Sequence, residues 1–396
     1  MYIFFIRQFA DLDHATPIIY KMAQKGSTAI RVLCQNLDYD IRTDFIIKYL
    51  REELGIKTDY SYSLYANGVL KRILAAFVLW IRRIFPKIGA KLFKKLQHRL
   101  YDEKWAEYLL THLKASALIL DFQKDSKFST RVLTEAARRL QVPVIAITHG
   151  VTMRVSDIEE KSYLFTADLK ICANHHQVEF YKTQNDTEND IKVAGSTRYC
   201  DEWERIYNTI LSNTFECHDL PNDNGKLKVL FFERPKIGFY GDHDIVQAVG
   251  KLDFVNVVHK GKPKIKFASS RVAGSSYPSA RLVQWADVVV MSTSSIALEV
   301  LWQGKPLIYL KYLSPHDLCV FEQYQACWIV NSQRELTDAL KKIHLNSAYR
   351  PYRQENVNRL LEDAVYAGDK TRDILSDYAE LIINFKKSKP VGDQLT

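Results

Sequence analysis

A cluster of hydroxyl side chains offers the clearest chemistry in this sequence. Its four consecutive members are Ser292, Thr293, Ser294 and Ser295. They follow the apolar run Val288–Met291 and precede residues 296–301, which have the periodicity of a helix. Such a turn brings hydroxyl donors and free backbone N–H groups to the positive end of a helix, where a diphosphate can bind. The alternative is that these hydroxyls only cap the helix.

Glu299 extends this cluster by one helical turn. Its carboxylate could accept hydrogen bonds from a ribose diol, or it could be a solvated side chain without a ligand. Gly304 and Pro306 end the predicted helix, and the apolar residues 307–310 begin the next strand. This order predicts a βαβ unit, with the hydroxyls at the carboxyl edge of a parallel sheet, where ligands of open α/β sheets bind.

Two strand ends in the first half carry candidate acid–base groups. His149 follows the apolar residues 143–148, and the ordinary pKa of a histidine suits a general base at neutral pH. The alternative is a structural histidine that bonds its own loop. Asp121 ends the predicted strand 117–121 and is a second candidate base, or the group that orients His149.

A third strand end carries two basic side chains. His259 and Lys260 follow the predicted strand 255–258 in the sequence. An imidazolium and an ammonium at this place could both neutralise a phosphate. They are therefore candidate donor-binding residues.

The hydroxyl run, the glutamate after it and the Gly-Lys-Pro at 304–306 together resemble the nucleotide-binding half of GT-B glycosyltransferases. The resemblance is to bacterial enzymes of surface polysaccharide biosynthesis, of the capsule or lipopolysaccharide O-antigen type, and to the related CDP-glycerol glycerophosphotransferases. A Gly-Ser-x-Arg-Tyr at 195–199, followed by Trp203, is similar to the boundary between the two domains in that group.

On the donor side, the resemblance implies that the hydroxyl turn holds the donor diphosphate and that Glu299 holds its ribose. The loop after the predicted strand 228–232 would face the donor phosphates, so Arg234 and Lys236 become candidate clamps. No cofactor and no metal are expected, because a nucleotide-sugar is the substrate and the basic groups with the helix end could take up the leaving charge.

On the acceptor side, the resemblance implies a loop at 7–14 that faces the cleft before the first helix. Asp13 in that loop is a candidate catalytic residue, or else the N-cap of the helix. His149 followed by Gly150 resembles the His-Gly of glycerol phosphate transferases, in which the histidine is thought to deprotonate the acceptor.

The predicted fold class is α/β and GT-B-like, with two Rossmann-like domains that face each other across a cleft. We expect an N-terminal acceptor domain at 1–200 and a C-terminal nucleotide-donor domain at 201–396. The resemblance implies that the last helix packs back on the first domain.

Residues 66–100 are the least typical part of the chain. Apolar and basic residues alternate there with helical periodicity, and Pro86 should divide the segment into two helices. The longest uncharged run is too short to span a bilayer. A basic amphipathic helix pair with Trp and Phe suits the surface of an anionic membrane, which residues 70–99 would contact. The alternative is a packed helix pair with a solvated basic face.

The composition favours a soluble globular chain of two domains with 396 residues and a net charge of +9. That charge suits anionic partners, and nucleic acid is not expected because no recognised nucleic-acid motif accompanies the basic segment. Six scattered cysteines without a CxxC pair indicate reduced thiols. With no secretory signal apparent, we expect a cytoplasmic protein, peripheral at the inner face of the cell membrane.

The sequence thus predicts a glycosyltransferase that moves a sugar from a nucleotide-activated donor to a growing, lipid-linked bacterial surface polysaccharide. Three alternatives stay open. One is a phosphotransferase that passes an alditol phosphate from a CDP-alditol, and another is a nucleotide-sugar epimerase, which needs no acceptor. The third is a non-catalytic partner protein in a polysaccharide assembly complex.

Overall fold

The computed structural model places the chain in two compact units. It describes residues 1–27, 29–36, 39–61, 68–121, 130–148, 150–151, 167–181, 191–216, 220–221, 225–232, 242–261, 272–274, 277–313 and 319–385. Unit 1 consists of Met1–Gly150, Ile158–Arg198 and Thr371–Thr396, and unit 2 of Val151–Asp157 and Tyr199–Lys370. From Tyr199 to Lys370 the chain belongs to unit 2, and its last helix belongs to unit 1 again.

The described part of unit 1 contains one parallel sheet of seven strands. They are β1 (Tyr2–Ile6), β2 (Ile30–Cys34), β3 (Lys57–Tyr60), β4 (Ala117–Asp121), β5 (Val144–Ile147), β6 (Leu169–Cys172) and β7 (Ile191–Val193). Their order in the sheet is β3-β2-β1-β4-β5-β6-β7. The direction of strand addition reverses between β1 and β4, and open α/β sheets bind ligands outside the carboxyl ends at such a switch point.

The described helices of unit 1 cover both faces of this sheet. They are α1 (Phe9–Gln24), α2 (Phe45–Glu52), α3 (Gly68–Ile84), α4 (Pro86–Leu100), α5 (Glu103–His112), α6 (Thr130–Arg139), α7 (His175–Tyr181) and, at the end of the chain, α15 (Ile374–Asn384). Strands such as β4 and β5 are buried along their whole length because they consist of apolar residues on both faces. The helix α15 packs on α1.

The described part of unit 2 contains a second parallel sheet, of six strands. They are β8 (Leu227–Phe232), β9 (Val255–Lys260), β10 (Val272–Gly274), β11 (Val288–Met291), β12 (Leu307–Leu310) and β13 (Trp328–Val330). The order β10-β9-β8-β11-β12-β13 is that of a Rossmann dinucleotide-binding sheet, 3-2-1-4-5-6. Its switch point lies between the carboxyl ends of β8 and β11, and β11 is the strand that leads into the hydroxyl run.

The described helices of unit 2 connect these strands. They are α8 (Asp201–Thr214), α9 (Asp242–Gly250), α10 (Ser279–Trp285), α11 (Ile296–Trp302), α12 (Val320–Gln323), α13 (Gln333–Leu345) and α14 (Gln354–Tyr366). Gly304 follows α11 with a φ of 66°, a left-handed conformation that glycine adopts without strain. The predicted βαβ unit at 288–310 is confirmed, and so is the α/β class with two Rossmann-like sheets.

Three local predictions were wrong. Most of the expected loop at 7–14 belongs to α1, which begins at Phe9, and its N-cap is Gln8 rather than Asp13. His259 and Lys260 are the last two residues of β9 and not part of a following loop. The sequence also predicts that residues 321–324, Phe-Glu-Gln-Tyr, continue the sheet as a strand, but residues 320–323 form helix α12. Four residues are too few to show whether a segment has the period of a strand or of a helix.

The predicted helix pair at 66–100 is present as α3 and α4, divided at Pro86. Whether the pair is an insertion relative to other proteins of this fold stays a prediction. Among the described residues, no helix is both long enough and apolar enough to cross a membrane.

Candidate functional site

The hydroxyl run lies at the switch point of the second sheet. Met291, the last residue of β11, is paired in register with Phe232 of β8, and Phe232 is paired with Lys260 of β9. These three residues form one row across the carboxyl edge of the sheet. Since neighbouring strands are roughly 4.8 Å apart, the hydroxyl turn begins about 10 Å from the backbone of Lys260. Both groups therefore border the end of β8.

The hydroxyl at the start of α11 is not used as a helix cap. Ser295 occupies the N-cap position, and its side chain makes no capping hydrogen bond. Among the described residues, Ser294 Oγ accepts one long hydrogen bond, at 3.4 Å, from the backbone N–H of Ile296, the first residue of α11. Capping therefore accounts weakly for Ser294 and not at all for Ser295.

Thr293 differs from its neighbours because it contacts the adjacent strand. Its Oγ1 lies 3.1 Å from Cys319 Sγ, and that sulfur lies 3.3 Å from the hydroxyl of Tyr309 in β12. Burial, followed by the contact with Cys319, raises the pKa of Tyr309, which keeps the phenol protonated at neutral pH. Thr293 thus fixes the turn to β12, and Ser294 and Ser295 are the hydroxyls better placed to serve a ligand.

Glu299 is a buried carboxylate on α11. Its side chain has no exposed surface, and its Oε1 accepts a hydrogen bond of 2.6 Å from Gln303 Nε2. Gln303 lies one turn further along the chain and is half-buried. The predicted contact between Glu299 and a ribose therefore requires the ligand to replace or share the bond from Gln303.

His259 and Lys260 leave the end of β9 on opposite faces of the sheet, because successive side chains of a strand alternate. His259 is buried beside Phe231 of β8 and Gly274 of β10 in the strand register. Lys260 Nζ donates a hydrogen bond of 2.6 Å to the carbonyl of Tyr277. Burial lowers the pKa of Lys260 from its ordinary value, since the charged form is less well solvated there.

The switch point of the first sheet carries a buried ion-pair network that the sequence did not reveal. Asp11 Oδ2 accepts hydrogen bonds of 2.8 Å from both the backbone N–H and the Nε of Arg7. The same guanidinium lies 3.4 Å from Asp121 Oδ2. All three side chains are buried. Asp121, a candidate base, is therefore held beside a cation that follows the neighbouring strand β1.

A second ion pair joins the first helix to the end of β7. Arg198 Nε donates to Asp13 Oδ2 at 2.9 Å, and Thr197 Oγ1 donates to the carbonyl of His14 at 3.1 Å. Gly195 begins this segment with a φ of 92°, which only glycine adopts readily. The predicted catalytic Asp13 is thus paired with a buried guanidinium, and the Gly-Ser-x-Arg element holds the first turns of α1.

Gln35 and Ser61 are buried polar residues that sequence reasoning missed. They follow β2 and β3, whose last residues, Cys34 and Tyr60, are paired in register. Among the described residues, neither the amide of Gln35 nor the hydroxyl of Ser61 has a hydrogen-bond partner, although both residues have no exposed surface. Such groups are costly unless a ligand or water satisfies them. For Gln35, a polar residue directly after the largely apolar strand β2 was the available signal; Ser61 follows the polar strand β3 and gave none.

One glutamine, Gln177, bonds the two described residues on either side of position 149. Gln177 Oε1 accepts hydrogen bonds from Thr148 Oγ1, at 3.1 Å, and from the backbone N–H of Ala173, at 2.8 Å. Gln177 Nε2 donates to the carbonyl of Gly150. Gln177 is fully buried in α7, so it can fix the residues before and after His149.

Three of the predicted site residues lie outside the described part of the chain. They are His149, Arg234 and Lys236. The remaining predicted residues fall into two groups. Asp13 and Asp121 lie at the first sheet, and His259, Lys260, the four hydroxyl residues and Glu299 lie at the second. Within the described residues, no three His, Cys, Asp or Glu side chains lie together as a metal site.

Comparison with known proteins gave matches of structure but not of sequence. No family model matches the chain, and no curated protein matches its sequence. The UDP-GlcNAc 2-epimerase of Neisseria meningitidis, solved with UDP-GlcNAc, is 12% identical and has a TM-score of 0.60, with 97% of this chain and 100% of that chain covered. MnaA of S. aureus, solved with UDP, is 12% identical with a TM-score of 0.57, and 98% of each chain is covered.

Glycosyltransferases also match over nearly the whole chain. SnogD of Streptomyces nogalater is 12% identical with a TM-score of 0.54, and the match covers 97% of this chain and 99% of that chain. Identities this low establish similarity of fold alone. Together with the two parallel sheets and the Rossmann strand order of the second, these matches show that the chain has the two-domain α/β architecture of the GT-B fold.

Proposed function

We propose that this protein is an enzyme that uses a nucleotide-activated sugar, and that it transfers the glycosyl group to an acceptor. The observation that supports the proposal most directly is the switch point of the second sheet. There, the hydroxyl of Ser295, which caps no helix N–H, and the half-buried Lys260 border the end of β8, in the strand order of a nucleotide-binding sheet. Structural neighbours solved with UDP-GlcNAc and UDP support the same ligand class.

In this proposal the second unit binds the donor. Ser294 and Ser295 donate hydrogen bonds to the diphosphate, together with the backbone N–H groups at the start of the turn. Lys260 supplies positive charge for the leaving phosphate, with His259, Arg234 and Lys236 as further cationic groups. Glu299 exchanges its bond from Gln303 for the ribose hydroxyls.

The first unit binds and activates the acceptor. His149 takes the proton of the attacking hydroxyl, and Gln177 holds the turn on which this histidine lies. Asp121 and Asp13 are ion-paired with Arg7 and Arg198, so they serve as fixed negative charges that orient a histidine or an acceptor hydroxyl rather than as primary bases. The acceptor that we propose is a lipid-linked glycan of a bacterial surface polysaccharide.

A nucleotide-sugar epimerase is the second candidate. The epimerase of N. meningitidis has a TM-score of 0.60, against 0.54 for the glycosyltransferase SnogD, at the same identity. An epimerase would use the same donor-binding edge, but the acid–base groups of the first unit would act on the sugar itself. The two reactions are separated by their need for an acceptor.

The decisive experiment begins with nucleotide binding. Calorimetric titration of the protein with UDP, GDP, CMP and CDP should give micromolar to millimolar binding for one of them, with weaker binding of the others. Failure of all four to bind, in protein shown to be folded, would overturn the proposal. A nucleotide that binds equally well to the Lys260→Met/Ser295→Ala variant would show that the ligand lies elsewhere.

Turnover then distinguishes the candidates. The corresponding nucleotide-sugars are incubated with the protein, with and without a lipid-linked glycan, and products are followed by mass spectrometry and NMR. Glycosyl transfer requires the acceptor and releases the nucleoside diphosphate, or CMP where the donor is a CMP-sugar. Epimerisation proceeds without acceptor and leaves the mass unchanged. Consumption of a CDP-alditol with release of CMP would identify an alditol phosphotransferase. If His149→Ala and Glu299→Ala change nothing in cells, the non-catalytic partner is the better description.

A further inference from the structure

The helices α3 and α4 present an apolar surface that the chain leaves uncovered. Within the described residues, ten large apolar side chains are well exposed, and eight of them lie between positions 69 and 88. Five form a stripe along α3 with alternating spacings of three and four residues: Leu70, Ile73, Phe77, Trp80 and Ile84. Leu70 is 81% exposed and Trp80 58%. Large exposed apolar patches mark binding surfaces.

This stripe is not the face that attaches α3 to its unit. Ala75 and Val78 lie on another side of the helix and are buried in the hydrophobic core of unit 1, together with Phe93 of α4 and Trp105 of α5. Lys71 Nζ also forms an ion pair of 2.9 Å with Asp102, the N-cap residue of α5. The helix pair is therefore fixed to unit 1 by its inner side, and the stripe is a second apolar face.

The same helix pair carries exposed basic residues. Lys87, Lys91, Lys95 and Arg99 follow each other at intervals of four along α4, so they share one side of that helix. Arg72 and Arg83 are exposed on α3. None of these six side chains forms an ion pair with a described residue. They therefore offer their charge to an outside partner.

The charge of the whole chain is concentrated in this helix pair. Residues 68–100 contain nine Lys and Arg and no Asp or Glu, while the net charge of the entire protein is +9. The rest of the chain is thus balanced between acidic and basic residues. A positive field confined to one surface directs that surface towards an anionic partner.

We propose that α3 and α4 are a membrane-docking surface that lies flat on an anionic lipid bilayer. The stripe Leu70–Ile84 would enter the interfacial region, with Trp80 at the level of the headgroups, and the basic row of α4 would contact their phosphates. At 1.5 Å per residue, α3 is roughly 25 Å long, enough for several apolar contacts in the plane of the membrane. Phosphates of a nucleic acid would use the charges but leave the stripe exposed to water, which is why a bilayer fits better.

Vesicle sedimentation tests this proposal with the full chain and without any sugar donor, so its outcome is independent of the proposed function. We expect the protein to sediment with vesicles of phosphatidylglycerol and phosphatidylcholine, and to bind phosphatidylcholine alone at least tenfold more weakly. Binding should weaken at high salt, because exposed charges are screened. The apolar variant Leu70→Ser/Phe77→Ser/Trp80→Ser and the charge variant Arg83→Gln/Lys87→Gln/Lys91→Gln/Lys95→Gln should each lose at least tenfold in affinity.

Matched variants separate the surface from general effects of charge and hydrophobicity. Lys57→Gln/Lys104→Gln/Lys251→Gln/Lys341→Gln removes the same charge from exposed positions elsewhere and should bind vesicles within twofold of the unchanged protein. Leu345→Ser removes an apolar residue that is 84% exposed outside the helix pair and should have no effect. All variants are first compared by thermal unfolding, and only those that fold are used.

Three outcomes would overturn the proposal. One is equal binding by the apolar variant and the unchanged protein. Another is a homodimer in vesicle-free solution that becomes a monomer when the stripe is replaced, because the occupant would then be a second copy of the chain. The third is tighter binding to duplex DNA than to anionic vesicles, with the apolar variant unaffected. Trp80 gives an internal signal: its fluorescence should shift to the blue on vesicles, and Trp80→Phe should abolish that shift.

Discussion

The switch points of the two sheets differ in how their charges are satisfied. At the first sheet, the carboxylates of Asp11 and Asp121 lie against the guanidinium of Arg7, inside the protein. At the second, the charged group is Lys260, which donates to a backbone carbonyl, and the hydroxyl of Ser295 caps no helix N–H. The first edge is therefore built mainly from internal ion pairs, and the second contains a hydroxyl, that of Ser295, which makes no capping bond. This difference predicts that substitutions at the first edge change stability and those at the second change ligand binding.

The largest effect should follow from replacing Arg7. Arg7→Leu leaves two buried carboxylates without their cation, which we expect to lower the free energy of unfolding by about 3–5 kcal/mol. Urea denaturation followed by circular dichroism measures this loss. Arg131→Leu serves as the control, because its ion pair with Glu135 is at the surface and should contribute nothing measurable. A stability unchanged in Arg7→Leu would show that the network is not a structural element.

Replacing Lys260 should weaken nucleotide binding and have little effect on stability. Lys260→Met removes a charge-assisted contact to phosphate worth about 1.5–3 kcal/mol, so the Kd for UDP or whichever nucleotide binds should rise about 10–100-fold. The free energy of unfolding should change by no more than about 1 kcal/mol, because the substitution keeps the apolar part of the side chain and removes one hydrogen bond, to the carbonyl of Tyr277. Lys251→Met, at an exposed position, is the matched control.

Lys260 also gives this prediction a pH dependence. Because burial lowers the pKa of Lys260, the free protein loses this proton at a lower pH than an ordinary lysine does. A bound phosphate favours the ammonium, so affinity should be highest below the pKa of Lys260 in the free protein and should fall as the pH rises through it. In Lys260→Met, this fall of nucleotide affinity with rising pH should be absent. If both proteins show the same pH dependence, Lys260 does not bind the donor.

An intermediate effect is expected at Gln177, on the first sheet. Gln177→Ala removes the bonds to Thr148 and Gly150 on either side of His149, and we expect kcat to fall at least tenfold while the Kd of the donor changes less than twofold. Gln177→Glu keeps the acceptor for Thr148 but loses the donor to Gly150, so its kcat should lie between those of the unchanged protein and Gln177→Ala. If kcat and donor affinity fall equally, Gln177 does more than hold the residues on either side of position 149.

The smallest effect distinguishes a binding hydroxyl from a helix cap. Ser295→Ala should raise the Kd of the nucleotide about 3–10-fold and leave the free energy of unfolding unchanged. Ser332 provides the comparison, since its side chain accepts a capping bond of 3.2 Å from the N–H of Glu335. Ser332→Ala should therefore cost about 1 kcal/mol of stability without affecting the nucleotide. If Ser295→Ala loses as much stability as Ser332→Ala, Ser295 is a helix cap and not a binding residue.

Sequence reasoning located most of the sheet strands for a simple reason. The runs 117–121, 288–291 and 307–310 are apolar on both faces, as strands of covered parallel sheets must be, and the structure places β4, β11 and β12 on these same residues. Gly304 likewise indicated the end of α11, because its position requires a positive φ.

Sequence reasoning failed where a polar side chain forms a hydrogen bond with the nearby backbone. Residues 7–14 resemble a loop, yet Asp11 accepts the N–H of Arg7 and so satisfies a donor just before α1 begins. The strand predicted at 321–324 was wrong for another reason: four residues are too few to show a period that separates a strand from a helical turn. His149, Arg234 and Lys236 lie outside the described residues, so their predicted roles stay predictions.

Residues that are neighbours in the chain are enough to predict the α/β class, the hydroxyl turn after β11 and the amphipathic character of the segment at 66–100. Which charges meet depends on the folded chain: Arg7 lies beside Asp121, and Arg198 beside Asp13, which is 185 residues away in the sequence. The tertiary structure also decided which apolar face of α3 is buried and which is exposed. The reason is physical: local patterns set what an element can bury, but the partners it meets depend on how the strands are ordered in the sheet.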